Sequence, residues 1–260
     1  MHSRMFLGIA AVLASSLIAR GANLAPLHGK CTIGVSDDGA RLRLEVRPDD
    51  CAESRHCGSN FSDESLKRFT GITLADLGRE GADLTATLAG EPGTFTCSGK
   101  VHDAKLEGTS NFAPDQAFVD RMARLGFTGF DSEKLMTSTF VGVESKWVES
   151  MKQTGVKGIT VDNLIALRIF RIDPDYVHSF VSMGYDMPDA DKLIALKVQG
   201  VNGEEVRQIR ALGYQPTLDE LIQIRIFKIT PDFIRRMQDR GLKNLTIAKL
   251  VQIRIFKLDE

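Results

Sequence analysis

After residue 97 the chain contains no cysteine. It has almost no net charge, and none of its apolar runs is long enough to cross a bilayer as a helix. It contains 33 Lys and Arg residues and 34 Asp and Glu residues, so the chain as a whole does not attract nucleic acid or anionic lipid. The sequence also lacks an aromatic platform for stacking bases, and no serine stands in a GxSxG motif. These absences argue against a nucleic-acid-binding protein, a membrane-spanning protein and a hydrolase of that serine type.

The N-terminus has the pattern of a secretory signal peptide. His2 and Arg4 precede an uncharged apolar run from Phe6 to Ile18, which is shorter than the roughly 20 residues that a spanning helix needs. Cleavage after Gly21 or after Ala22 fits equally well. We therefore predict a signal peptide over residues 1–22 and a periplasmic or secreted chain with no stable membrane span. A retained single anchor is the alternative.

The cysteines predict two disulfides, because an even number in an exported chain usually pairs. All four lie in the first half of the chain: Cys31, Cys51, Cys57 and Cys97. Three pairings are possible, and the favoured one joins Cys51 to Cys57 locally and Cys31 to Cys97 at long range. The alternative is a metal site that uses His56 and His102, but the spacing matches no CxxC-type zinc pattern. We predict no metal and no cofactor.

Residues 23–112 predict a small antiparallel β domain. Polar and apolar residues alternate over 41–47 and 84–88, as in strands with one buried face. Further strands are expected at 94–97, after a Pro92-Gly93 turn, and at 99–103 and 105–112. Residues 48–65 are polar, and 66–77 predict a short helix or an irregular crossover. A core of this size is marginal, so disulfides would stabilise it.

Residues 113–260 predict five tandem copies of one helix-turn-helix unit. Glycines recur at nearly constant spacing: Gly126, Gly155, Gly184, Gly213 and Gly241. The positions eight, seven and four residues before each glycine are mostly apolar and form one helical face. The residue eleven before is a good helix N-cap in four of the five units, with Glu144 as the exception. The chain is therefore predicted to be α+β, with a disulfide-bonded β domain followed by an all-α repeat array.

The second helix of each predicted unit begins at a capping residue and contains a leucine four residues later. The caps are Asp131, Thr160, Asp189, Thr217 and Thr246. The fourth unit is one residue short, in the linker before Thr217. The first unit differs from the others at Ser138 and Phe140, as a terminal unit often does.

One column of the predicted repeat is basic, and it is the candidate binding site. Four units carry a cation at one position, Arg168, Lys197, Arg225 and Arg254, and three residues later stand Arg171, Lys228 and Lys257, with Gly200 in the third unit. Stacked units would align these side chains into a ridge for an acidic protein. The alternative is that cations near helix ends complement the helix dipole and bind free carbonyls.

The repeat resembles a known group of sequences. Residues 155–168, GVKGITVDNLIALR, and 241–254, GLKNLTIAKLVQIR, are similar to tandem helical repeats in uncharacterised exported bacterial proteins. Similar repeats follow the peptidase domain of some membrane metallopeptidases of the β-lactam-sensor type. The segment from Gly93 to Pro114 also resembles the β region that precedes such repeats. The peptidase motif HExxH is absent here, so the resemblance implies an extracytoplasmic interaction or sensing module and no protease.

The sequence therefore favours a non-catalytic protein-binding module of the bacterial cell envelope, with an acidic protein as partner and no nucleic acid. Two alternatives remain. The first is an enzyme with a site at the junction of the two parts, for which His102, Asp103 and Glu107 are the candidates. The second is an accessory protein that binds a small envelope ligand in the β domain.

Overall fold

The computed structural model describes residues 24–36, 39, 41–49, 59–64, 68–242 and 244–258. The predicted signal peptide and the predicted Cys51–Cys57 disulfide lie outside these residues. Over the described residues the layout is α+β, with seven strands followed by ten α-helices. The strands are β1 (Leu27–Val35), β2 (Leu42–Pro48), β3 (Ser59–Glu64), β4 (Phe69–Thr70), β5 (Asp83–Gly90), β6 (Gly93–His102) and β7 (Lys105–Pro114).

The strands form one antiparallel sheet in the order β3-β2-β1-β7-β6-β5-β4. The alternating segments at 41–47 and 84–88 form β2 and much of β5, as predicted. The two strands expected at 94–97 and 99–103 are one continuous strand, β6. Three strands were missed: β1, at the start of the predicted β domain, β3, in the polar stretch 48–65, and β4, where a short helix or an irregular crossover was predicted. The stretch 66–77 contains the short β4 and enters a 3-10 helix at Asp76–Gly78.

The long-range disulfide is present as predicted. Cys31 of β1 and Cys97 of β6 are bonded, with their Cα atoms 6.0 Å apart, across the intervening β7. Close to this bond, Gly99 and Gly108 face each other between β6 and β7. A Cβ atom on either glycine would lie 2.0 Å from a backbone oxygen of the neighbouring strand. Only glycine permits this approach, so β6 and β7 approach each other closely beside Cys31, which is paired with Gly108.

The ten helices begin where the sequence predicts. They are α1 (Gln116–Arg124), α2 (Ser132–Val141), α3 (Ser145–Gln153), α4 (Val161–Ile169), α5 (Pro174–Ser182), α6 (Ala190–Val198), α7 (Gly203–Ala211), α8 (Leu218–Ile226), α9 (Pro231–Asp239) and α10 (Ile247–Ile255). Nine N-cap side chains accept a backbone N–H bond from the first turn, and Glu144 does not. The glycine after each odd-numbered helix has a positive φ, between 83° and 92°, as expected for a helix C-terminus.

The even-numbered helices pack in sequence, α2 on α4, α4 on α6, α6 on α8 and α8 on α10. Helices of nine or ten residues are unstable alone in water, so these contacts hold the helical part together. The buried apolar side chains form two clusters, one that contains the sheet and one that extends from Met151 in α3 to Val251 in α10. Trp147 and Ile159 pack against both this cluster and the one that contains the sheet.

The sheet shares its core with the first four helices. Phe95 and Phe112 of the sheet belong to one buried cluster with Phe118, Phe140 and Leu164. The Phe95 and Phe140 rings meet edge to face at a centroid distance of 5.0 Å. The boundary predicted at residue 112 therefore marks a change of secondary structure, while the apolar core continues across it.

Candidate functional site

The seven predicted ridge residues lie at the C-terminal ends of α4, α6, α8 and α10. Four of them occupy the last turn of a helix, Arg168, Lys197, Arg225 and Arg254. The other three, Arg171, Lys228 and Lys257, lie just beyond a helix end and are exposed. The fold therefore brings both sets to one edge of the helical part. The two sets differ in their contacts and in their backbone conformation.

We number the helix pairs from one to five, from α1 with α2 to α9 with α10. Each arginine of the first set binds the helix pair that precedes its own. Arg168 Nε donates to the Gly142 carbonyl at 2.9 Å, and Arg225 Nε donates to the Gln199 carbonyl at 2.8 Å. Arg254 Nη2 donates to the Lys228 carbonyl at 3.3 Å. Each acceptor lies at the C-terminus of the preceding even-numbered helix, where carbonyls have no partner within the helix. These arginines therefore join successive helix pairs.

The same cations also contact the odd-numbered helix of their own pair. Arg168 lies over the Trp147 ring at 5.1 Å, Lys197 over Tyr176 at 4.4 Å and Arg254 over Phe233 at 4.2 Å. Cations over aromatic faces are attracted by the ring quadrupole. Both groups are partly buried, and this burial lowers the pKa of Arg168 and raises the pKa of Tyr176.

The fourth helix pair makes the same connection by different chemistry. It has Glu205 where the other pairs have an aromatic residue, and Arg225 lies 3.4 Å from the Glu205 carboxylate. An ion pair thus replaces a cation–π contact at the equivalent place. The first set of predicted ridge residues is therefore engaged in contacts within the chain.

The second set has an unusual backbone conformation. Arg171, Lys228 and Lys257 have φ values of 53°, 52° and 50°, whereas the equivalent residues of the other two pairs are Gly142 and Gly200. A non-glycine residue in this left-handed region costs about 1–2 kcal/mol. Three helix pairs therefore keep an exposed cation where glycine would be less strained.

Two further sets of inter-helix contacts were not identified from the sequence. At the odd-numbered helices, Lys152 donates to the Leu125 carbonyl, and Arg210 donates to the Met183 carbonyl at 2.7 Å. The N-terminal ends of the even-numbered helices are also joined, each to the preceding even-numbered helix. The contacts are Asp162 with Lys134, Asp191 with Asn163 and Asp219 with Lys192. Their spacing of 27 or 28 residues was the available signal, but it becomes informative only once the helices are known to stack.

The candidates for an enzyme site lie away from the junction. His102 and Asp103 lie at the β6–β7 turn, and Glu107 is close to it, whereas α1 follows the opposite end of β7. His102 is exposed and bonds to Glu80, which raises the pKa of His102. The placement of these residues at the junction was therefore wrong.

The metal alternative loses one of its ligands, because Cys97 is bonded to Cys31. His56 and Cys57 lie outside the described residues. Within the part of the chain that the structure describes, no group of three His, Cys, Asp or Glu side chains is placed to hold a metal. An open groove near the β6–β7 turn has a mixed lining, with Val35 and Ala104 beside charged residues such as Arg43, Glu45 and Asp103.

The junction itself is occupied by packing and capping contacts. Glu91, in the β5–β6 turn, accepts a bond from the Ser145 backbone N–H at 3.1 Å and lies 3.4 Å from Arg121. It thereby caps α3, whose own N-cap residue Glu144 makes no such bond. Burial alone would raise the pKa of Glu91, but the bonds from Ser145 and the charge of Arg121 outweigh it and leave this pKa lowered.

Among the described helices, none has the length and apolar character to span a bilayer. Comparison of the chain with protein-family models, with curated proteins and with solved structures finds no match.

Proposed function

We propose that residues 113–260 form a tandem array of five helix-turn-helix repeats, and that this array binds an acidic protein outside the cytoplasm. The array is supported by ten helices that begin at recurring cap positions and by even-numbered helices that pack one on the next. Such stacks present extended surfaces on which partners bind.

The binding role rests mainly on one observation, the three exposed cations in left-handed backbone. Arg171, Lys228 and Lys257 stand where two sister repeats have glycine. Strain at a recurring surface position points to a function that opposes stability. Dipole complementarity at a helix C-terminus offsets part of the strain. A binding role for these cations would explain why these three positions carry Lys or Arg instead of glycine.

The binding surface is therefore the rim formed by Arg171, Lys228 and Lys257, hereafter the cation rim. The arginines that cap preceding helices, such as Arg168 and Arg225, hold the rim in register. Complementary charge steers a partner into place and selects among partners more than it raises affinity. An acidic surface is the chemistry that fits.

The extracytoplasmic location rests on two features. The Cys31–Cys97 disulfide is of a kind that persists in oxidising compartments, and residues 1–22 have the composition of a secretory signal. The resemblance to repeats of exported bacterial proteins agrees with this location.

Site-directed photo-crosslinking in native cells tests the proposal. A photoreactive amino acid is placed at position 226, beside the cation rim, and at position 181 as a control on the odd-numbered helix α5. The proposal expects one protein with an acidic surface to be captured at 226 and not at 181. Capture should fall when Arg171, Lys228 and Lys257 are changed together to Gln. Equal capture at both positions, or capture that ignores the triple substitution, would overturn the proposal.

A further inference from the structure

A row of half-exposed aliphatic side chains runs beside the cation rim. Each of the four even-numbered helices from α4 to α10 presents one at the same position: Ile169, Val198, Ile226 and Ile255. Their exposed fractions lie between 50% and 51%. Scattered apolar residues on a surface need no explanation, but a contiguous apolar row marks a binding site. We call these four residues the apolar stripe.

The first helix pair shows what the stripe position does when it is covered. The equivalent residue there is Phe140, which is fully buried and packs edge to face on Phe95 of the sheet. The sheet thus covers this position in α2, and the same helix face continues uncovered along α4, α6, α8 and α10. The stripe is therefore an extension of an interface that the chain already forms with a β-strand residue.

The spacing of the stripe selects the shape of its occupant. Packed helices lie about 8–10 Å apart, so one aliphatic side chain recurs at about that interval. An extended chain in the polyproline II conformation has three residues per turn and rises about 3.1 Å per residue, so every third side chain returns to one face after about 9 Å. A flat β-strand places every third side chain on the opposite face. The polyproline II form therefore matches the stripe.

The charges beside the stripe select the chemistry of the occupant. On the C-terminal side lies the cation rim, in which Lys228 and Lys257 are exposed. On the N-terminal side, Asp162 and Asp219 already pair with lysines of the preceding helices. An occupant therefore meets exposed positive charge along one edge, whereas Asp162 and Asp219 on the other side are already paired with lysines.

Resting on the proposed function, we infer that the apolar stripe and the cation rim together bind an extended, polyproline II-like polypeptide segment. This segment carries an apolar residue at every third position and acidic residues between. Binding of such preformed segments costs little conformational entropy. A second copy of this chain is the competing occupant, and the experiment distinguishes the two.

Fluorescence anisotropy with a labelled peptide of roughly five Leu-Pro-Glu triplets, whose period matches the stripe, tests the inference on the full chain. The inference expects this peptide to bind, and it expects the double variant Val198→Ser and Ile226→Ser to weaken binding about tenfold, or roughly 1.4 kcal/mol. Val181→Ser is the matched control, since Val181 is 42% exposed on an odd-numbered helix. It should leave binding unchanged. A peptide of equal composition with its leucines clustered should bind more weakly.

Three results would overturn the inference: no binding of the triplet peptide, equal effects of the stripe and control variants, or a dimer that the stripe variant dissociates and the peptide does not. Sedimentation of wild type and variants measures the last, and unchanged thermal midpoints show that the variants fold. If position 226 still crosslinks to an acidic protein while the triplet peptide fails to bind, the proposed function stands. Only the extended period-three occupant is then wrong.

Discussion

Arg225 lies 3.4 Å from Glu205 in the fourth helix pair, at the place where the second, third and fifth pairs set a cation over an aromatic ring. Two different chemistries thus make the same connection. In all four pairs the cation is held by its own repeat, and the three arginines among them also bind the preceding pair. The charge of these four residues therefore serves contacts within the chain, in contrast to that of the cation rim.

The exchange between these chemistries predicts the behaviour of Glu205 variants. Glu205→Tyr supplies the aromatic face that Tyr176 provides for Lys197, so we expect a free energy of unfolding equal to or above that of wild type. Glu205→Ala removes the partner of Arg225 and should lower it by about 1 kcal/mol, a modest value because Arg225 is partly exposed. Urea unfolding of both variants measures this. Equal loss in both would contradict the exchange.

Arg168 should contribute to stability because it binds across two helix pairs. Arg168→Ala removes its bond to Gly142 and its contact with Trp147, and we expect about 1–2 kcal/mol of destabilisation. Lys228→Gln, which changes an exposed side chain, should stay within about 0.5 kcal/mol of wild type. Denaturant titration compares the two. A neutral Arg168→Ala would mean that the arginines do not couple the repeats.

The left-handed backbone at Lys228 predicts a conflict between stability and binding. Lys228→Gly relieves the strain, and despite the added freedom of the unfolded chain we expect a gain of up to about 1 kcal/mol. The reverse change, Gly200→Lys, should destabilise, because a Cβ there lies 3.1 Å from Arg225 Nη2 and φ is 70°. Thermal unfolding checks both. The Lys228→Gly protein should also bind the Leu-Pro-Glu peptide more weakly. A variant that is stabilised and binds as well as wild type would contradict the binding role of the cation rim.

Glu91 predicts a pH-dependent link between the sheet and α3. Its pKa is lowered in the folded state, so its stabilising contribution is present above the ordinary carboxyl value of 4.5 and is lost as pH falls through the lowered value. Glu91→Gln should therefore be about 1 kcal/mol less stable than wild type at neutral pH, since the group is partly screened. The two proteins should converge in acid. A difference that persists in acid where the Glu91 carboxyl is protonated would place its origin outside the carboxylate charge.

Removal of the Cys31–Cys97 disulfide should destabilise the sheet strongly. The bond closes a separation of 66 residues, for which the chain-entropy estimate is about 4 kcal/mol. We expect the double variant Cys31→Ala and Cys97→Ala to lose about 2–4 kcal/mol in guanidinium unfolding. The substitution tests this bond alone, whereas a reductant would act on every cysteine. A loss below about 1 kcal/mol would show that the close packing of β6 and β7 holds the sheet without it.

The helical part could be predicted from the sequence because its signals are local. Caps such as Asp131 and Thr217 and glycines such as Gly126 act within one turn, so each boundary can be identified from neighbouring residues. The β part was less predictable. Strand β3 has no alternating pattern of its own and exists because β2 offers an edge to pair with.

The candidate site could be predicted only in part, because its contacts span whole repeats. The basic column was visible, but the reach of Arg168 back to Gly142, 26 residues earlier, depends on how the helices stack. The four stripe positions are apolar in the sequence, and so is Phe140 at the same position of the first unit. Phe140 is covered by the sheet and Ile169 is not, and no local signal separates the two.

Hydrogen–deuterium exchange with and without the Leu-Pro-Glu peptide tests the central claim, that the uncovered face of the even-numbered helices is the binding surface. Binding at the apolar stripe should slow exchange in α4, α6, α8 and α10, most of all in the turns that contain Val198 and Ile226. Exchange in the odd-numbered helices and in the sheet should not change. Protection that falls on the odd-numbered helices, or on the groove beside Asp103, would contradict it.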